Sequence, residues 1–370
     1  MKTFSSINTA ARQSGVTLVE LMVSLVLGLL LTAGMIKVFS GNRVTYEFNQ
    51  SLSRIQENAR YALDHIAYSA RMAGYKGCMS DVAVYNNLNG PNSFRDDIEN
   101  GITGFDANGT SEGEAFVAAA TNPAPSANEA DWSPALPAEL DGKVIPGSDV
   151  IVIRSVGGGG LQLVSPFTNA AQLFVATPHD FVIGEILVVT DCQKASIFQI
   201  SNIDSTGHNL VHSNTSGFLP GNNGPNWPPE QDYGLGAEVA RLQAHAFYIG
   251  QGENGVPSLF QLRLQLNTLT STVEFKPEEL VEGIESMQVR YGVDTDSNET
   301  IDSWLSADAV ANWRDVLSVE INLLARAGEE YGTDTDTAVY TLGSTTFDPV
   351  DDRRLRQVFS TTVGVRNRLP

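Results

Sequence analysis

Residues 12–24 read RQSGVTLVELMVS. A glycine, Gly15, stands directly before an apolar segment that carries a carboxylate, Glu20, close to its start. Val16 to Ile36 is a 21-residue stretch interrupted only by Thr17, Glu20, Ser24, Thr32 and small residues. At about 1.5 Å per residue, a helix of that length spans roughly 30 Å of hydrocarbon. A charge at the centre of such a span costs about 2.5–3.5 kcal/mol even on insertion scales, so a retained acid asks for a role. The residues ahead of the segment hold Lys2 and Arg12 and no acid, which keeps the start cytoplasmic and sends the rest outward. A secretory signal would end in a small-x-small cleavage site after its apolar run. Here the conspicuous glycine precedes the run.

The helical pattern continues beyond membrane length. Leu52, Ile55, Ala59, Ala62, Leu63, Ile66, Ala70 and Ala73 recur at spacings of three and four, with Gln56, Glu57, Arg60, Asp64 and Arg71 on the other face. No proline occurs between Met1 and Tyr75, and Gly74 and Gly77 supply stops. The expectation is one long helix, apolar all round in its first half and amphipathic in its second.

The chain has 370 residues and a net charge of -20, enough length for a sizeable core and the wrong charge for nucleic acid, whose phosphates need a Lys/Arg surface. Spread acidity makes a soluble surface and suits divalent cations. Two cysteines, Cys78 and Cys192, are two buried thiols in a reducing compartment or one disulfide in an exported chain.

Gly-Val-Thr-Leu-Val-Glu-Leu-Met-Val-Ser at 15–24, behind a short basic leader, resembles the type IV prepilin signature. The resemblance implies cleavage by a prepilin peptidase between Gly15 and Val16, N-methylation of the new Val16 amine, and pairing of that amine with Glu20 of a neighbouring subunit. Val16 departs from the more usual phenylalanine, and the helix-breaking proline of many major pilins is missing.

From Met79 to Asp141 the composition is rich in Asn, Gly, Ala, Pro and Ser and predicts long loops with short elements. DVIVIRS (149–155), EILVVTD (185–191) and IFQISNI (197–203) read as strands, VGGGGL (156–161) as a turn, and 217–236 as a loop. SLFQLRLQL (258–266) and VLSVEINLLAR (316–326) alternate. With AHAFYIG, SMQVRYGVD and VFSTTVGVRNRLP they predict an antiparallel sheet with one covered face, the amphipathic helix half being the cover. The fold class expected is α+β, pilin-like. Its divisions would be a leader at 1–15, a transmembrane and filament-core helix at 16–43, an amphipathic half at 44–77, a loop-rich first β region at 78–236 and a C-terminal antiparallel region at 237–370.

The order of these pieces, with a Cys in VVTDCQKASIFQI, the run ESMQVRYGVDTDSN and a final strand ending VRNR, is similar to minor pilins of the PilW type and distantly to J-type pseudopilins of type II secretion. The resemblance implies a subunit, first in the inner membrane with its C-terminal part in the periplasm and then in the pilus, that helps initiate assembly near the tip. Its partners would be other minor pilins, the major pilin and a tip adhesin. It also implies an oxidising location, where a Cys78–Cys192 bridge closing a loop of about 115 residues stabilises by up to about 4–5 kcal/mol. The competing readings are a secretion pseudopilin and a membrane-tethered binding module.

YGVDTDSNETIDSWL (291–305) offers Asp294, Asp296, Asn298, the Thr300 carbonyl and Asp302 at alternating positions, the pattern by which oxygen ligands wrap Ca²⁺. Glu299 stands where the sharp turn prefers glycine, and Leu305 where a bidentate glutamate belongs. Asp334 and Asp336 read as a turn, and the acid pairs Asp96–Asp97 and Asp351–Asp352 as exposed charge. No His-Glu-x-x-His or Cys-x-x-Cys occurs, so the expectation is a protein that is not an enzyme.

Overall fold

The structure, a computed structural model, describes residues 15–77, 82–168, 170–215, 217–331 and 334–368. Leader residues 1–14 and Cys78 lie outside the described residues. The chain divides into two compact units, residues 1–51 and 52–370.

In the first unit, α1 (Leu18–Arg71) begins as an apolar helix whose side chains are exposed all round. It is long and apolar enough to cross a membrane. Three of its hydroxyl side chains need no outside partner. The hydroxyls of Ser24, Thr32 and Thr45 donate to the carbonyls of Glu20, Gly28 and Gly41 one turn back, at 2.7, 2.8 and 3.0 Å. Back-bonding of this kind satisfies a hydroxyl within the helix, as hydrocarbon requires.

In the second unit the helix becomes one-sided. Ile55, Ala59, Ala62, Leu63, Ile66, Ala67, Ala70 and Ala73 are buried, each 9% exposed or less, while Glu57, Arg60, Asp64, Tyr68 and Arg71 face outward or lie at the margin. Burying each large aliphatic side chain contributes roughly 1.5–3 kcal/mol. The helix stops at Gly74, whose φ of +69° suits glycine. The Gly74 N–H donates to the Arg154 carbonyl at 2.8 Å. A Cβ on Gly101 would stand 2.4 Å from the Gly74 backbone, so two glycines allow the helix end to touch the sheet.

The strands that matter for position are β1 (Ile102–Ala107), β2 (Val150–Val156), β3 (Ile186–Thr190), β4 (Lys194–Gln199), β5 (Glu238–Gln251), β6 (Pro257–Asn267), β7 (Thr272–Glu282), β8 (Ile284–Val293), β9 (Ser303–Leu305), β10 (Val316–Arg326) and β11 (Arg356–Gly364). One sheet contains β1 to β7, with β5 at its centre between β2 on one side and β3 and β6 on the other. A second runs β9-β8-β10-β11, all antiparallel. Short parallel pairs, Ala83–Asn86 on β4 and Thr345–Asp348 on Ala115–Val117, complete an otherwise antiparallel α+β arrangement.

The helix packs on both sheets at once. Its stripe shares a core with Ile151, Ile153, Phe247 and Leu259 of the first and with Met287, Val289, Val319, Ile321 and Leu323 of the second. The expected single covered face is corrected here: both faces of the first sheet are covered. Phe94, Trp132, Leu136, Leu140 and Val144, from the loop-rich stretch, bury the opposite face over Val150, Val152, Tyr248 and Leu262. The alternating row of β6 therefore points Leu262 away from the helix. Gln261, on the helix side, is buried and bridges His65 (3.4 Å) and His245 (3.1 Å). Replacing Ile66, fully buried in the shared core, by alanine is expected to cost about 2–5 kcal/mol. Tyr68→Ala, at a side chain 68% exposed, should stay within about 0.5 kcal/mol, both read by equilibrium unfolding of the detergent-solubilised chain.

Candidate functional site

Two places gather the side chains that the sequence singles out. At the first, Gly15, Val16 and Thr17 are not helical and α1 starts at Leu18. Thr17 is the residue before the first helical position, and its Oγ1 accepts the Glu20 N–H at 3.3 Å. Its carbonyl accepts the Leu21 N–H at 3.1 Å. Thr-Leu-Val-Glu is thus a Ser/Thr-x-x-Glu helix start, a signal that was in the sequence and that the apolar pattern obscured. The Glu20 carboxylate belongs to the first turn, where the unpaired N–H groups favour negative charge. Gly15, Val16 and Glu20 are exposed, so among the described residues nothing covers the bond between Gly15 and Val16 or competes for the acid.

At the second, β8 and β9 form a hairpin in register Tyr291↔Leu305 and Val293↔Ser303, and residues 294–302 are its connection. Asp294 organises that connection. Its Oδ1 accepts the N–H groups of Asp296 and Asn298, each at 3.2 Å, and its Oδ2 that of Glu299 at 2.8 Å. Partial desolvation pulls its pKa upward, but the donated N–H groups outweigh this and hold the carboxyl below the usual range. Asp302 is held low by the Thr295 hydroxyl and N–H, both at 2.7 Å. Ser297 and Glu299 have φ of 61° and 64°, so Glu299 adopts the left-handed turn where the sequence pattern lacked its glycine.

Of the five expected ligands, Asp294, Asp296 and Asp302 bring carboxylate oxygens within 4.8 Å of one another. Asn298 turns its oxygen to the Thr300 N–H at 2.8 Å and to the Thr300 hydroxyl. Three convergent carboxylates fit a hard cation; the Asn298 oxygen is already engaged.

The acids read as bland turned out otherwise. Asp352 and Asp336 meet Arg356 at 2.7 and 3.3 Å, and Arg356 reaches Glu285 at 2.7 Å. Glu285 also takes Arg326 at 3.1 Å, with both side chains almost wholly buried. Burial would raise the Asp352 pKa, yet Arg356 and Arg354 hold it at about 2. Asp96 is buried too, against Arg95 and Asn86. These correct the expectation of a plain turn at 334–336 and of exposed charge at Asp96 and Asp352. Their partners lie far along the chain or in a tight local turn, which composition cannot reveal.

Residues 246–367 match the family model of the type IV pilus-assembly protein W, and residues 10–36 match the prokaryotic N-terminal methylation motif. No curated protein and no solved structure matches the chain. The chain thus carries both marks of a PilW-type type IV pilin, the methylation motif at one end and the assembly-protein domain towards the other. Those marks are of a structural pilus component, anchored through an apolar N-terminal helix. The second of them includes β8 to β11 and the acidic hairpin.

The two aspartates of the hairpin should separate cleanly. Asp294→Ala takes the protein acceptor from three N–H groups of the loop and is expected to lower the unfolding temperature by several degrees. Asp296 donates its backbone N–H to Asp294, and among the described residues its carboxylate accepts no hydrogen bond, so Asp296→Ala should stay within about 0.5 kcal/mol. Thermal unfolding of the two variants in calcium-free buffer measures the difference.

Proposed function

We propose that this minor pilin is cut by prepilin peptidase between Gly15 and Val16, N-methylated on Val16, and used to initiate type IV pilus assembly near the pilus tip beside other minor pilins. The observation that carries the reading is the methylation motif on a capped apolar helix in a chain that also matches the pilus-assembly protein W. Lys2 and Arg12, with no acid in the leader, support insertion with the globular part in the periplasm. Major pilin, other minor pilins and a tip adhesin are the partners that follow from this role.

Cleavage would leave a positive amine on Val16, next to the cap residue Thr17, and a carboxylate at Glu20 inside the first turn. Within one chain the helix start already stabilises that carboxylate. In a filament, Glu20 of one subunit can take the Val16 amine of its neighbour. A buried ion pair adds little net stability, but a stack out of register would leave both charges unpaired in an apolar environment, at a cost of several kcal/mol. The acid therefore acts as a register mark.

Cys192 sits in the turn between β3 and β4 with φ of 68° and is not a free thiol. Its bridging to Cys78, which lies outside the described residues, is part of the proposal. So is Ca²⁺ at Asp294, Asp296 and Asp302, with the Thr300 carbonyl and Asn298 as further oxygens once the loop adjusts.

Mass spectrometry of the chain recovered from the envelope is expected to give an N-terminus at methylated Val16 and, without reduction, a peptide pair linked through Cys78 and Cys192. A chain starting at Met1 would defeat the processing scheme. Glu20→Ala should insert and be cleaved but reduce surface pili to the level of a strain lacking the gene; normal piliation would remove the role given to the acid. Millimolar Ca²⁺ is expected to raise the unfolding temperature of the detergent-solubilised chain and to do so much less in Asp296→Ala, the substitution that spares the loop's own hydrogen bonds. Equal shifts in both would leave the hairpin merely acidic.

A further inference from the structure

The long edge strands of the two sheets are built on opposite rules. Among the described residues, strand β7 pairs along its length with β6 alone, apart from one bridge between Thr272 and Leu219 at its start, and it carries Glu274, Lys276, Pro277, Glu278, Glu279 and Glu282. Charge and proline on an edge block the addition of another strand. Among the described residues, strand β11 pairs only with β10, and its residues 357–363, QVFSTTV, hold no charge, no proline and no glycine. Those seven residues are mostly β-branched or aromatic, the composition of a strand that expects a neighbour.

The hydrogen bonds at the two ends of the β10–β11 ladder fix which groups are open. The Val365 N–H donates to the Leu317 carbonyl, and the Ala327 N–H donates to the Leu355 carbonyl, each at 2.8 Å. In an antiparallel pair the bonded residues alternate, so odd-numbered residues of β11 bond to β10 in the register Val319↔Val363 to Ala325↔Gln357. The N–H and C=O of Val358, Ser360 and Thr362 therefore point away from the sheet. Among the described residues, none of these backbone groups has a hydrogen-bond partner, and Ser360 and Thr362 are exposed.

We propose that the β11 edge, through Val358, Ser360 and Thr362, receives an extended, uncharged segment of another pilus subunit as an added strand of the second sheet. This rests on the pilus reading given above for the identity of the partner. Three outward residues offer three donors and three acceptors, which supply affinity by backbone pairing. Specificity comes from side chains. On the helix side the added strand continues the row of Phe359, Thr361 and Val363, of which Val363 is buried and Phe359 packs on the shared core, so apolar residues suit that face. On the other side it continues Ser360 and Thr362, where small polar residues suit. A second copy is the poorer occupant, since it would bring together two chains of net charge -20.

The test uses the full-length chain in its own cells. Thr362 directs its N–H outward, so Thr362→Pro removes no bond to β10 and Thr362→Lys adds a charge at the edge. Both variants are expected to accumulate, to melt within a few degrees of the unaltered chain after detergent extraction, and to lower surface pili to the level of a gene deletion; Thr362→Val should retain piliation. A folded Lys variant that supports normal piliation overturns the proposal, and it decides the matter alone if the Pro variant fails to fold. A deletion strain with normal pili overturns the pilus reading and this inference together, which keeps that failure distinct from failure of the edge. Ser360→Cys, placed opposite itself in a self-paired edge, is expected to give no disulfide-linked homodimer; a homodimer would hand the edge to a second copy and overturn the assignment.

Discussion

Close approach of one helix face to two sheets is the constraint on which this structure depends. Residues 55–73, the end of α1 and the turn after it, present five alanines among their eight buried positions, and small side chains let the helix backbone come near both sheets at once. Larger residues on that stripe would force the sheets apart and open the shared core, since interiors are packed to the density of organic crystals. The pair Gly74 and Gly101 extends the same logic to the helix end, where backbone touches backbone.

Two sheets held under one helix also need a joint between them, and one buried carboxylate makes it, while another ties the second sheet together. Asp149 is wholly buried and accepts the Ala107 N–H at 3.0 Å and the Val289 N–H at 2.8 Å, so one side chain fastens β1 of the first sheet to β8 of the second. Burial first, and then the nearby Asp106, push its pKa well up. Around Glu285, Arg326 and Arg356 bind β8, β10 and β11 together. Such ion pairs add modest net stability but make alternative packings costly. They keep β11 in register, and with it the open row of Val358, Ser360 and Thr362.

Much of this architecture was legible in the chain. The stripe from Ile55 to Ala73 was readable because helical period is local, and the strands at 150–156, 186–190 and 316–326 because β-branched runs between turn residues are local too. The Thr17 cap was equally local, although the apolar run drew the reading to Val16. What was missed depends on partners distant in sequence. Gln261 looks like the polar side of an alternating strand, yet it is buried because His65 and His245 meet it from α1 and β5. Asp352 looks like surface charge, yet Arg356 and Arg354 enclose it. The loop-rich stretch around Trp132 and Leu140 has no periodicity to announce that it covers a sheet face.

The sequence by itself determined a capped, apolar, membrane-length helix with an acid in its first turn, an amphipathic continuation, an α+β complement of strands and a triad of acids in one turn. Each of these follows from residues within a few positions of one another, where spacing and propensity act directly. Only the tertiary structure decided which face of each strand meets the helix, that both faces of the first sheet are closed, which acids are paired, and which of two long edges is left open. Those outcomes turn on contacts between segments tens to hundreds of residues apart. Burial and hydrogen-bond satisfaction are properties of the assembled core and not of any stretch of chain.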